Sequence, residues 1–169
     1  MTHDLDKLFA LMDQLVRLHE HMIATLDRQL AAARAADSQT MHQCQQQTED
    51  LVRQVAQAEA QRRALVKTIA IQAGLEGASQ ARGVTATRLA TALAEPARSE
   101  LLQRASRLRD LLGETDRLNK LLAEVSRQVL LHIRTAFESV AEIAGNTGIY
   151  AANGRMRQAE RPTVFEVVG

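Results

Sequence analysis

Two short stretches hold side chains able to ligate a metal or act as a nucleophile: "HEH" at 19–21 and "HQC" at 42–44. A zinc site needs three or four ligands converging on one point. Positions two apart on a helix do not share a face. His19 falls on an apolar stripe and His21 on another face, which predicts one seam histidine and one surface histidine. Cys44 is the only cysteine, so no internal disulfide can form and a reducing compartment fits. The sequence around it has no local basic environment, which predicts a packed seam thiol and not a nucleophile. There is no HExxH, no paired CxxC and no phosphate-cradling glycine loop. "GLEGASQARG" at 74–83 does not follow a strand and reads as a linker. The expectation is a protein that is not an enzyme, with no metal and no cofactor.

Recognition chemistry is better represented. "NTGIYAANGRM" at 146–156 holds the chain's one tyrosine beside an Asn-Gly turn, in a protein only 2% aromatic. A tyrosine on a glycine-bracketed segment can enter a partner's pocket, with large contact area, few rotors and a hydroxyl for orientation. It can equally fold back and cap its own protein. The residues around Asn153 and Gly154 could also close a hairpin.

A second recognition feature is "NKLLAEVSRQVLLHIRTAFESVAEI" at 119–143. Leu121, Leu122, Val125, Val129, Leu130, Leu131, Ile133, Phe137, Val140 and Ile143 are too many for one narrow stripe. A helix apolar on more than one face must bury more than one face. Either the helix is central to its own bundle, or the surplus receives a partner's amphipathic helix. In the second case the binding residues are Leu122, Val125, Val129, Leu130, Ile133, Phe137 and Val140.

The elements that position these residues follow from period and composition. Alanine, leucine, glutamine and arginine dominate the 169 residues, a mixture that favours long helices over sheet. Leu5, Leu8, Met12, Leu15, His19, Met22, Leu26 and Leu30 repeat at helical spacing, predicting a helix over 4–34. "ADS" at 36–38 offers a break and an N-cap. Met41, Cys44, Thr48, Leu51, Val55, Ala58, Arg62, Leu65 and Ile69 carry a heptad-like rhythm through 39–73. Gly74 ends that helix. Residues 84–95 suggest a short helix anchored by Val84, Leu89 and Leu93, and Pro96 suits the first turn of the next. The last helix is expected over 96–144, roughly 70 Å at 1.5 Å per residue. Its seam is expected to run through Leu101, Ala105, Leu108, Leu112, Thr115, Asn119, Leu122, Ser126, Val129, Ile133 and beyond. Arg62 and Asn119 are polar seam positions, which either fix register or reach water at thin points of the bundle. The predicted fold class is all-α: an elongated antiparallel helical bundle of three long helices and one short one. It divides into a bundle at 1–144 and a tail at 145–169. Some helix is expected to project or to pair with another copy, so a homo-oligomer is possible.

Charge narrows the partner classes. The formal net charge is +1, and the arginines are interspersed with acids, which argues against nucleic acid. No apolar run is long enough to span a membrane, and the amphipathic, early-acidic start is unlike a signal peptide. The chain is expected to be cytoplasmic, without membrane insertion.

The order of these blocks resembles the FlgN-type flagellar export chaperones over nearly the whole length. The resemblance rests on the long first helix, a second ending in "RRALVKTIAIQAG", a short helix before Pro96, a last helix carrying "LNKLLAEV", and "GIYAANGRM" after it. That family usually has glycine directly after the tyrosine, where this chain has Ala151. The resemblance implies a non-enzymatic cytoplasmic chaperone that binds the C-terminal helices of hook-filament junction proteins. It implies that the chaperone prevents their early association and delivers them to the export gate. It further implies that 119–143 contacts cargo and that Tyr150, Asn153 and Gly154 dock on the cytoplasmic domain of the export gate. The competing expectation is a structural or signalling coiled-coil protein that only self-assembles.

Overall fold

The computed structural model describes residues 2–75 and 84–146. Four helices follow one another: α1 (Thr2–Arg34), α2 (Ser38–Gln72), α3 (Ala86–Ala90) and α4 (Ala97–Asn146). No strand occurs among the described residues. The fold is an all-α helical bundle, as the periodicity predicts. The chain separates into two units, Met1–Val125 and Ser126–Gly169.

In the first unit α1 and α2 form an antiparallel hairpin. Its two ends are tied by side chains: Gln72 Nε2 donates to Asp4 Oδ2 at 3.1 Å, and Arg28 Nε donates to Cys44 Sγ at 3.1 Å. The reversal between them is tight. Ala36 is left-handed at φ 54°, the Asp37 amide donates to the Ala32 carbonyl at 2.9 Å, and the Ala36 amide reaches Ala33 at 3.3 Å. This pair of bonds satisfies carbonyls that α1 would otherwise leave open at its end. Asp37 also caps α2, its carboxylate accepting from the Thr40 amide at 3.0 Å. The same stop recurs after α2, with Gly74 at φ 68°, Leu75 N–H donating to Ala70 and Gly74 N–H to Ile71, each at 3.0 Å.

α4 runs beside α1 in this unit. Arg104 Nε donates to Asp13 at 3.0 Å, its guanidinium lies 4.7 Å from the centre of the Phe9 ring, and Arg107 pairs with Glu20 at 2.7 Å. One apolar cluster joins Leu8, Met12 and Leu15 of α1, Ala58, Ile69 and Ala70 of α2, and Leu101 and Leu108 of α4. Leu89, Ala90 and Leu93, in and after α3, belong to it. A second cluster holds Met22, Leu26, Leu51 and Leu118. Thr85 caps α3 by accepting from Arg88 N–H, and Glu95 does so for α4 by accepting from Ser99 N–H, both at 3.2 Å.

Two details of the expected seam need correction. Leu111 and Leu118 are buried, while Leu112 is 51% exposed and Asn119 is exposed. After Leu108 the seam takes steps of three and then four residues, so it passes through 111, 115, 118 and 122. Asn119 therefore reaches water. Arg62 is partly exposed and held by Glu59, through Nε at 3.0 Å and Nη2 at 2.9 Å. α4 also continues through Gly145 to Asn146 instead of stopping at 144.

In the second unit the described residues, 126–146, all belong to α4. The expected tail, from 147 onward, lies outside the described residues.

Candidate functional site

The groups with catalytic or ligating potential are placed as structural residues. His19 is 6% exposed in the α1–α2 seam, and its Nδ1 has no hydrogen-bond partner. Burial lowers its pKa below the ordinary imidazole value, and the nearby Glu59 carboxylate offsets only part of that. His21 is exposed, with its ring 2.9 Å from the Gln47 amide. Cys44 is fully buried, so no substrate reaches its sulfur. The expectation of a surrounding without basic groups is corrected here. Arg28 lies on the thiol, although the same guanidinium also donates to Gln47 Oε1 at 2.8 Å. No group of three His, Cys, Asp or Glu side chains converges on a metal-sized space among the described residues. No described helix is long and apolar enough to cross a membrane.

Glu59 shows how the hairpin handles a half-buried charge. Burial raises its pKa, but hydrogen bonding and charge from Arg62, and then Arg63, outweigh that and hold the carboxyl below its usual range. Glu59 is thus held by neighbours on its own helix.

The apolar residues named for partner binding divide between the two units. Leu122 is half-buried against the second cluster, with Met22, Leu26, Leu51 and Leu118. Val125 is half-buried as well. In the second unit the picture changes. Val129 is 37% exposed, Leu130 66%, Ile133 47%, Phe137 65% and Val140 62%. The reading of a helix wholly central to its own bundle does not hold for these residues. Their spacing of 3, 4 and 3 residues, from 130 to 133, 137 and 140, places them on one face. Val129 widens that face. Ala136 falls beside it and is exposed too.

Several polar side chains elsewhere on this segment bond within the helix itself. Arg134 Nε donates to Glu138 Oε1 at 2.9 Å. Thr135 and Ser139 donate their hydroxyls to the carbonyls four residues earlier, each at 3.0 Å. Leu131 is exposed among them at 62%. The segment is therefore amphipathic, with its apolar face uncovered. Such a face offers helix-in-groove or helix-on-helix recognition. The other candidate set, Tyr150, Asn153 and Gly154, lies outside the described residues.

Against known protein families, the chain matches the family described as FlgN protein over residues 1–158. No curated protein and no solved structure matches it.

Proposed function

The chain belongs to the FlgN family of flagellar export chaperones, and on that premise we propose that it binds the C-terminal helices of hook-filament junction proteins in the cytoplasm. Bound there, the junction proteins are kept from associating early and are brought to the export gate. The observation that carries this reading is the uncovered apolar face of residues 129–140. A junction protein awaiting export has its own apolar helix stripe with nothing to pack on. Joining the two faces removes both from water, a gain of about 25 cal/mol per Å² of apolar surface. Ordering and rigid-body costs offset much of this. The balance suits a complex that must release its cargo.

The cargo surface is placed on Val129, Leu130, Ile133, Phe137 and Val140. Leu122 serves the first unit's own core. Tyr150, with the Asn153-Gly154 turn, is proposed as the contact to the cytoplasmic domain of the export gate, on the family resemblance. Family membership argues for a chaperone and against an enzyme.

The test is co-purification with junction-protein C-termini. Val129→Asp combined with Ile133→Asp puts two carboxylates on the face without removing any core contact of the first unit. Cargo capture should fall by at least tenfold while helicity by circular dichroism stays near wild type. Undiminished capture would reject the site. Tyr150→Ala should leave cargo capture intact and weaken binding to the gate's cytoplasmic domain; unchanged gate affinity would remove Tyr150 from that role.

A further inference from the structure

The first unit carries a surface of its own, distinct in its residues from 129–140. α1 and α2 leave a shallow groove of about 660 Å³ between them, lined by Lys7, Leu11, Gln14 and Arg17 of α1 and by Gln61 and Leu65 of α2, with one alanine from each helix, Ala10 and Ala64. Leu11 and Leu65 are half-buried yet belong to neither apolar cluster. The two alanines keep the trough open where longer side chains would fill it. From Lys7 to Arg17 the groove runs ten residues along α1, about 15 Å, the length of almost three helical turns.

Its charge is one-sided. Lys7 and Arg17 line it, no carboxylate does, and neither cation forms an ion pair with a described residue. Elsewhere in the same unit Arg62, Arg104, Arg107, Arg117 and Lys120 each hold an acid. Two cations over an apolar floor do not suit a phosphate backbone, which recruits many cations and little apolar surface. They do suit a helix with leucine-like side chains on one face and carboxylates along its flank.

We propose that this groove receives one amphipathic helix of a partner protein whose flank is acidic, with its apolar side chains over Leu11 and Leu65 and its carboxylates at Lys7 and Arg17. The site is separate from the cargo face and does not rest on it. A chaperone with two such surfaces can hold cargo on one and engage a second protein on the other.

The probe is a pair of labelled helical peptides of about 14 residues with the same leucine pattern, one flanked by glutamates and one by lysines. Fluorescence anisotropy with the full chain reads affinity. An exposed ion pair contributes a few-fold in affinity. The glutamate peptide should therefore bind about tenfold more tightly than the lysine peptide, and less so in high salt. Lys7→Glu with Arg17→Glu should reverse the preference. Ala64→Glu, at an exposed position, should block both peptides. Val129→Asp with Ile133→Asp should change nothing here, which separates this site from the cargo face. The proposal is overturned if neither peptide binds, if both bind alike, if the charge-reversed chain still prefers glutamate, or if the cargo-face variant loses the peptide. The charge reversal stands as a test on its own should Ala64→Glu disturb folding.

Discussion

His19 is a titratable group that the hairpin holds without a partner for Nδ1. An unfolded imidazole titrates near 6.5, whereas burial holds the folded one neutral to lower pH, with Glu59 opposing in part. As pH falls through about 6.5, the unfolded chain takes up a proton that the folded chain refuses. Stability therefore drops on the acid side and is insensitive to this group at higher pH. Replacing His19 with leucine removes both the titration and the orphaned nitrogen. Urea unfolding at pH 7 and pH 5 should show a smaller loss on acidification for His19→Leu than for wild type. Parallel losses would show that another group sets the slope. Glu59 acts in a separate window. Its lowered pKa makes its contribution vanish only as pH falls below the ordinary carboxylate range. The seam positions of His19 and Cys44 were legible because three- and four-residue spacing alone decides them. The Arg28–Cys44 contact was not, because it joins residues 16 apart through a turn whose geometry has to be known first. Asn119 shows the limit of spacing arguments. Steps of three and of four from Thr115 lead to Leu118 and Asn119, and only the hydrophobicity of Leu118 favours the step that the structure takes.

At the scale of elements, helix ends were legible wherever the residue type matches the backbone's need. Asp37 as a cap and Gly74 as a stop follow from type. Ala36 does not, because alanine adopts a left-handed conformation only at a cost and so gives no local sign of it. Three substitutions test this one physical rule in opposite directions. Ala36→Gly relieves the left-handed strain and should stabilise by about 0.5–1 kcal/mol. Gly74→Ala introduces that strain and should destabilise by about 1 kcal/mol. Gly113 sits inside α4 with ordinary helical φ, and a Cβ there would meet nothing within 4 Å. Gly113→Ala should therefore stabilise by about 0.5–1 kcal/mol. Urea midpoints at constant m-value read all three. A glycine-to-alanine change with the same sign at positions 74 and 113 would contradict the backbone assignment at one of them.

For the whole molecule, the all-α bundle was legible because every long block keeps one period. The distribution of burial along α4 was less so. An apolar-rich helix reads the same whether it is enclosed or bare, and only the extent of its neighbours decides. That extent has a consequence for stability. Residues 104–122 of α4 include Leu108, Leu111, Thr115 and Leu118, all buried in the first unit, whereas residues 127–140 are exposed throughout. A helical stretch without tertiary burial continues from turns already formed but gains little beyond its own hydrogen bonds. Its amides should open locally, at a free energy well below that of the bundle. Hydrogen exchange followed by mass spectrometry should show amides of 127–142 exchanging at least about tenfold faster than those of 104–122 in the isolated chain. Addition of a junction-protein C-terminal helix should slow the first set and leave the second nearly unchanged, because the proposed cargo face lies within the first set alone. The same experiment separates the chaperone from a protein that only self-assembles. If the exposed face pairs with a second copy, protection at 127–142 will rise with protein concentration and cargo will add nothing. Protection equal to that of the bundle at the lowest concentration, with no cargo present, would mean that the face is already covered and would remove the basis of the cargo site.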